Sequence, residues 1–357
     1  MAALTHTPRP RVRAAAPGEG AAIAALWREL WEAHEEWGGY PGSRDARVYS
    51  QLAQRLDDDA RVRAGSPILG RHIHLVAEIA GAPAGQVEGW FDRQGGDVST
   101  PFTCEVRSLV VTRRARGLGA GRALLDGLAD AARTLAQGGP CVLAAEVLER
   151  NPAHAFYERV GYAPVAWNAQ IEASKGAIVQ PGTFGARLAG PRDALFIARL
   201  EMMLAPRLAG VDARYDRPRA LDATFVGAIA AHLASEVPAS LREPAMLVAT
   251  DSNGAIRGAA SFTVHSLEPP FVPMRRALLG RFALDARCPA VPVVLALVGL
   301  GCKVAVSRGA PQVELIDLSP PETELHDAAL AIGARAWSRL LTRDCLLATR
   351  TGLRFEP

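Results

Sequence analysis

Residues 114–125 read Arg-Ala-Arg-Gly-Leu-Gly-Ala-Gly-Arg-Ala-Leu-Leu and follow closely on the apolar run Leu109-Val110-Val111. The order is a strand, a glycine turn with arginines on both sides, and the opening of a helix. Such a turn leaves backbone N–H groups free at a helix N-terminus, where the helix dipole also favours negative charge. Glycines let the main chain come close to an anion with no Cβ in the way. The amides of Arg116, Gly117, Leu118, Gly119, Ala120, Gly121 and Arg122 are therefore expected to cradle a phosphate or pyrophosphate.

Three kinds of glycine loop compete for this segment. A P-loop needs Gly-x-x-x-x-Gly-Lys-Ser/Thr, and nothing near Gly117 supplies it. A dinucleotide fingerprint built on Gly117 and Gly119 would demand glycine at position 122, which is Arg122. The third pattern, Arg/Gln-x-x-Gly-x-Gly/Ala, is met by Arg116, Gly119 and Gly121. Around it, Glu105–Thr112 reads as a strand. Leu124, Leu125, Leu128 and Ala132 keep a helical spacing, and Cys141–Val147 reads as a second strand. Asn151-Pro-Ala-His-Ala-Phe-Tyr157-Glu-Arg-Val-Gly161-Tyr162 comes next. This succession resembles the GNAT superfamily of N-acetyltransferases, with its coenzyme A pyrophosphate loop and its second signature of an Asn followed by a Tyr-bearing helix. The chain departs from the usual form in one respect: Asn151 lies six residues before Tyr157 rather than seven.

The resemblance implies acetyl-CoA as co-substrate and assigns the parts. Main-chain groups of Leu109, Val110 and Val111 would pair with the pantetheine arm and polarise the acetyl carbonyl, and Asn151 would join the coenzyme contacts. Tyr157 would be the general acid for the departing thiolate, the alternative being a packing aromatic like Phe156. Glu105 lies eleven residues before Arg116, where histone acetyltransferases of the superfamily carry their catalytic glutamate. It is the expected base; the alternative is a solvent-facing or Arg107-paired glutamate, and Glu146 is a weaker substitute. His154 reads as a solvated face residue. His72 and His74 share a strand face without a third ligand, so no metal is expected. Trp27, Trp31, Trp37 and Tyr40 with Glu32, Glu35 and Glu36 would border the acceptor site, as would Trp90-Phe91-Asp92. That mixture suits a cationic or aromatic amine, though a packed helix with an acidic outer face explains it equally.

Composition narrows the classes. The chain has 357 residues, 49% of them hydrophobic and 22% charged, enough for about two packed domains. A net charge of +3 without dense basic blocks argues against a nucleic-acid partner. Lys175 and Lys303 are the only lysines, and with the abundant Ala, Gly and Pro this suggests a high-GC bacterial genome. Five cysteines, with no Cys-x-x-Cys, read as reduced thiols in a cytoplasmic protein. The first 13 residues lack a signal-peptide core, and the apolar run Val291–Cys302 reads as too short to span a bilayer, so no membrane partner is expected.

The chain also repeats faintly at an offset of 172. Leu75-Val-Ala-Glu resembles Leu247-Val-Ala-Thr, and each opens a hairpin. Leu109–Val111 lands in the apolar run Ala277–Leu284, Cys141–Val147 beside Val313–Ile316, and Gly161 on Gly333 after the helical stretch Glu324–Ile332. Arg116, Gly119 and Gly121 land on Cys288, Val291 and Val293, and Tyr157 on Ala329. The stretch Asp285–Pro292 has two prolines and no glycine, so the second copy should keep the fold and lack the coenzyme loop. The expected fold class is α/β (α+β), two tandem GNAT-like lobes, each a mixed, mostly antiparallel sheet flanked by helices. The expected division is a disordered tail over 1–10, a catalytic domain over 11–205 closed by strand-like Ala194–Leu200, a linker over 206–217, and a degenerate domain over 218–357. The second lobe would complete the sheet, cover the cleft or make a homodimer contact. The expected activity is acetyl transfer to a primary amine of a small molecule by direct attack in a ternary complex. A coenzyme A-binding sensor or scaffold, or a protein N-terminal or lysine acetyltransferase, are the alternatives.

Overall fold

The structure is a computed structural model that describes residues 9–93, 102–179, 182–212, 214, 223–235, 237, 239, 241, 243–318 and 323–345. In chain order the elements are β1 (Arg11–Ala14), α1 (Gly20–Glu36), α2 (Ala46–Arg63), β2 (Ile68–Leu69), β3 (His72–Ile79), β4 (Ala82–Arg93), β5 (Phe102–Val111), α3 (Ala120–Leu135), β6 (Cys141–Leu148) and α4 (His154–Arg159). Then follow β7 (Ala163–Glu172), α5 (Ala173–Gly176), β8 (Gly185–Leu188), α6 (Ala194–Ala209), α7 (Ala223–Leu233), β9 (Ala245–Thr250), β10 (Ile256–Leu267), β11 (Met274–Leu284), α8 (Ala290–Ser307), β12 (Gln312–Leu318), α9 (Thr323–Ala331) and β13 (Arg335–Asp344).

Two compact units result. Among the described residues, the first holds those up to Ala163, the short segment Pro269–Val272, and Leu341–Cys345. Its strand order is β1-β3-β4-β5-β6, with the end of β13 beside β6. β3 and β4 form a hairpin closed by Ala80 and Gly81, both with positive φ, as a two-residue turn matched to strand twist requires. Alternation sorts the sheet faces. Ile73, Leu75, Ala77, Val87 and Phe91 pack against Leu124, Leu125 and Leu128 of α3. On the other face Val76 joins Ile23, Trp27 and Trp31 of α1 and Leu52 and Leu56 of α2.

The second unit repeats the same plan. β9, β10 and β11 form an antiparallel meander, and β11 pairs parallel with β12 after α8, as β5 pairs with β6 after α3. The last strands do not stay with their copies. β7, which follows α4, lies in the second unit and pairs antiparallel with β12; β13, which follows α9, delivers its end to the first. The first unit's main continuous stretch runs to Ala163. Residues 194–200, expected as a strand, open α6 instead. Ala194, Ile197, Ala198, Leu204 and Leu208 are the buried positions, a helical spacing. α6 runs through Pro206 to Ala209, and Arg214 pairs with Asp212 at 2.6 Å and Asp317 at 3.1 Å; residues 213 and 215–217 of the expected linker lie outside the described residues. The tail over residues 1–8 and the end from 346 lie outside the described residues.

α8 is longer than the apolar run that marks it. With 18 residues and a mean hydropathy of 2.1 it has the length and composition to cross a membrane. Val293, Val294, Leu297, Val298 and Cys302 are nonetheless part of the second unit's buried core. Pro289 is its N-cap and Pro292 lies in its first turn, where no intrahelical acceptor would await the missing N–H.

Candidate active site

β5 carries the site. Its pairing with β4 slips between Glu88↔Ser108 and Gly89↔Val106, leaving Arg107 as the extra residue of a β-bulge. Its parallel pairing with β6 joins Phe102–Val106 to Cys141–Ala145 and stops there, although β5 runs on to Val111 and β6 to Leu148. Beyond the bulge the ladder between the two strands is not continued. The Thr112 N–H donates to the Ala84 carbonyl at 2.9 Å. By antiparallel alternation Val110 also turns its main-chain groups toward β4, while Leu109 and Val111 turn theirs toward the gap. Of the three strand residues expected to contact a pantetheine arm, Val110 is therefore committed to the sheet. The Val111 carbonyl accepts from Arg116 Nε at 3.2 Å.

The glycine loop follows. A short 3₁₀ turn, Arg113–Ala115, leads to Gly117 and Gly119, at φ +81° and +87°. Both lie in the left-handed region that glycine alone enters without strain. No side chain caps α3, so the N–H groups of Ala120, Gly121 and Arg122 emerge uncapped at a helix N-terminus. Leu118 differs: its N–H already donates to the Ala115 carbonyl at 3.3 Å. A Cβ on Gly121 would stand 3.0 Å from Phe156 Cζ, so glycine here lets α3 pack close to the Tyr157 helix. Arg113, Arg114, Arg116 and Arg122 are all exposed around the loop. Arg116 keeps a loose 3.4 Å contact with Glu29, and Arg122 donates to the Arg159 carbonyl at 3.2 Å. This uncapped, positively charged turn fits the diphosphate of coenzyme A.

Tyr157 sits on α4 within the buried cluster that includes Val147 and, at its margin, Val106, Leu109 and Val111. It meets the rings of Phe156 and Tyr162 edge-on at 5.4 and 5.2 Å. Burial raises its phenol above the ordinary value, so it stays protonated and has a proton to donate at neutral pH. Asn151 Oδ1 accepts from the Ala153 N–H at 2.9 Å, so that oxygen is engaged in the turn before α4. His154 Nε2 lies 2.9 Å from the Leu148 carbonyl, a structural contact rather than a purely solvated position.

Glu105 does not have the surroundings expected of a base. It is half-exposed and pairs with Arg107 at 2.7 Å. Glu146 is exposed on β6. The acidic residues of α1 also point outward: Glu32 pairs with Arg28 and Glu35 with Arg44, while Trp27 and Trp31 are core. Phe271 packs on Trp31 with ring centroids 4.3 Å apart. The inward carboxylate on this face is Glu88, which the sequence reading passed over. Its signal was the alternation of His72 and His74 on β3 and of Gln86, Glu88 and Trp90 on β4, legible only once the register puts them on one face. Among the described residues no group of three or more His, Cys, Asp or Glu could hold a metal ion.

Residues 24–162 match the model of the acetyltransferase (GNAT) family. Among solved structures the chain resembles a GCN5-related N-acetyltransferase from Sphaerobacter thermophilus, with a TM-score of 0.54 and 18% identity over 97% of this chain and 98% of that one. A GCN5-related glucosamine N-acetyltransferase region of a fungal multi-domain GH3 β-N-acetylglucosaminidase gives a TM-score of 0.52 and 12% identity, over 95% of this chain and 38% of that one. A tandem GNAT protein from the clavulanic acid biosynthesis pathway gives 0.46 and 16%, over 94% and 99%. No curated protein matches. The match to the GNAT acetyltransferase model thus lies within the first unit, and the first of these solved structures shares the fold along nearly the whole chain.

Proposed function

We propose that this protein transfers the acetyl group of acetyl-CoA to a primary amine of a small molecule, in a ternary complex built on the first unit. The supporting observation is the break in β5–β6 pairing at Val106/Ala145, beside the Arg107 bulge and ahead of an uncapped α3. Acetyl-CoA supplies the activated acyl group. The amides of Gly119 to Arg122 hold its diphosphate, and Arg113, Arg114 and Arg116 add positive charge. Main-chain groups of Leu109 and Val111 align the pantetheine arm along the gap. Tyr157, kept protonated by burial, donates a proton where thiolate charge develops. The second unit has Cys288, Val291 and Val293 where the loop would be and offers no equivalent cradle. The test is thiol release from acetyl-CoA with a library of primary amines, wild type against Tyr157→Phe. Turnover on an amine, lost in the variant while acetyl-CoA still binds, is expected; binding without turnover on any amine would make the protein a coenzyme A sensor.

A further inference from the structure

The face of the first unit's sheet beneath α1 and α2 carries buried polar groups that the coenzyme contacts do not use. The register places His74, Glu88 and Ser108 in one row across β3, β4 and β5, with Gln86 on the same face next to it. The Glu88 side chain is only 9% exposed. Its nearest partner is His72 Nε2 at 3.7 Å, beyond hydrogen-bond length. Arg63 is close, with its terminal nitrogens engaged elsewhere and its buried Nε unpartnered: Nη1 donates to the Pro67 carbonyl at 3.1 Å and Nη2 to His72 Nδ1 at 2.7 Å. A guanidinium can only donate, so His72 Nδ1 accepts and a neutral ring carries its proton on Nε2, facing Glu88. The fold thus buries a carboxylate with no cation shown at hydrogen-bond distance, Arg63 and Arg55 acting on it through their charge alone, an arrangement that a donor-bearing ligand would complete.

The neighbours have the matching character. Gln86 Oε1 and His74 Nε2 are buried and make no hydrogen bond of normal length, though the Gln86 side chain lies near enough to His74 to favour a proton on its ring. Burial holds His74 down at about 4, so it is a neutral ring. Burial alone would push Glu88 upward, but the facing His72 N–H and the nearby charges hold it below the usual carboxylate range, so it is ionised at neutral pH. A carboxylate and an amide carbonyl accept, a neutral imidazole adds one accepting nitrogen beside its one N–H, and an ammonium has donors only. In the next row Trp90, 41% exposed, lies opposite the half-exposed His72, so the wall opens toward solvent past an aromatic ring suited to a cation.

We propose that Glu88 is the specificity-determining residue of the acceptor site, receiving a cationic group of the amine substrate, with His72 clamped by Arg63 as its positioning residue. This rests on the acceptor-amine reading above. The test is NMR of the full chain with labelled histidines and no acyl donor, titrated with methylammonium and benzylammonium. Saturable shifts of the His72 and His74 ring signals are expected in wild type and not in Glu88→Gln. In steady-state assays E88Q should raise KM for a cationic acceptor about tenfold or more and change kcat little, the scale of one charge-assisted contact, with Glu88→Asp recovering part of it. Absence of saturable shifts in wild type, or shifts that persist in E88Q, overturns the proposal. Calorimetry with acetyl-CoA on the same samples keeps the two readings apart. Heat from both proteins leaves acetyl transfer standing whichever way the histidine signals turn, and its absence from wild type sinks the acetyl-transfer reading itself.

Discussion

The end of the chain should hold the first unit together, through Arg343. This side chain on β13 is 3% exposed and donates to Asp126 Oδ1 and the Val160 carbonyl at 3.0 Å, and to the Leu125 carbonyl at 3.3 Å. Arg343→Met would leave Asp126 buried without its partner and remove donors from two carbonyls. Breaking a buried ion pair from one side costs about 3–5 kcal/mol. Deleting everything after residue 340 would also remove Leu341 and Cys345 from the first unit's core. A buried Leu alone is worth about 2–5 kcal/mol, so the sum reaches the whole stability of an ordinary domain, about 5–15 kcal/mol. Urea unfolding with acetyl-CoA binding as the probe of the first unit is the assay. At a slope of about 2 kcal/mol per molar, Arg343→Met should lower the midpoint by about 2 M. Arg343→Met/Asp126→Leu should recover most of that loss, because no charge is then stranded. The chain ending at 340 should not bind acetyl-CoA. A truncated chain with wild-type affinity and midpoint would refute the reasoning and restore a first domain complete in itself.

Other consequences can be read from single residues. Gly119→Ala meets no atom within 4 Å but must hold φ near +87°, a strain of about 1–2 kcal/mol at the start of α3, and acetyl-CoA affinity by calorimetry should fall by about tenfold. Tyr157→Phe should lower kcat by about a hundredfold or more with acetyl-CoA affinity unchanged, the range of a lost general acid. His74 and His34 are both held down at about 4 by burial. Each unfolded ring takes a proton near 6.5 while the folded ring refuses it until about 4. Stability should therefore fall as pH drops through that window and level off below it. For His74 the full loss is about 3 kcal/mol. Urea midpoints at pH 7 and 5 check the sign, and His74→Gln should flatten the dependence.

Local chemistry made much of this fold legible. Arg116, Gly119 and Gly121 mark the loop because only certain residues tolerate its backbone, and the positive φ at Gly117 and Gly119 is the physical form of that signal. The 172-residue offset found the second copy because both copies bury the same strand and helix faces. The destinations of β7 and β13 were not legible. Their alternating apolar residues suit either sheet, and the choice of partner is a long-range matter that no local pattern encodes. The same gap explains the acceptor face. Glu32, Glu35 and Glu36 stood out by density on one helix yet point outward, while Glu88 became visible only when the register set it across from His74. Ala194–Leu200 failed for another reason: a short apolar run fits a strand or a buried helix equally.

Calorimetric titration of the full chain with acetyl-CoA tests the central claim most directly. The account predicts one site per chain, weakened by Gly119→Ala, because among the described residues the glycine turn ahead of an uncapped helix beside a parted strand pair belongs to the first unit, the second having Asp285–Pro292 in its place. No heat of binding, or two equivalent sites per chain, would contradict it.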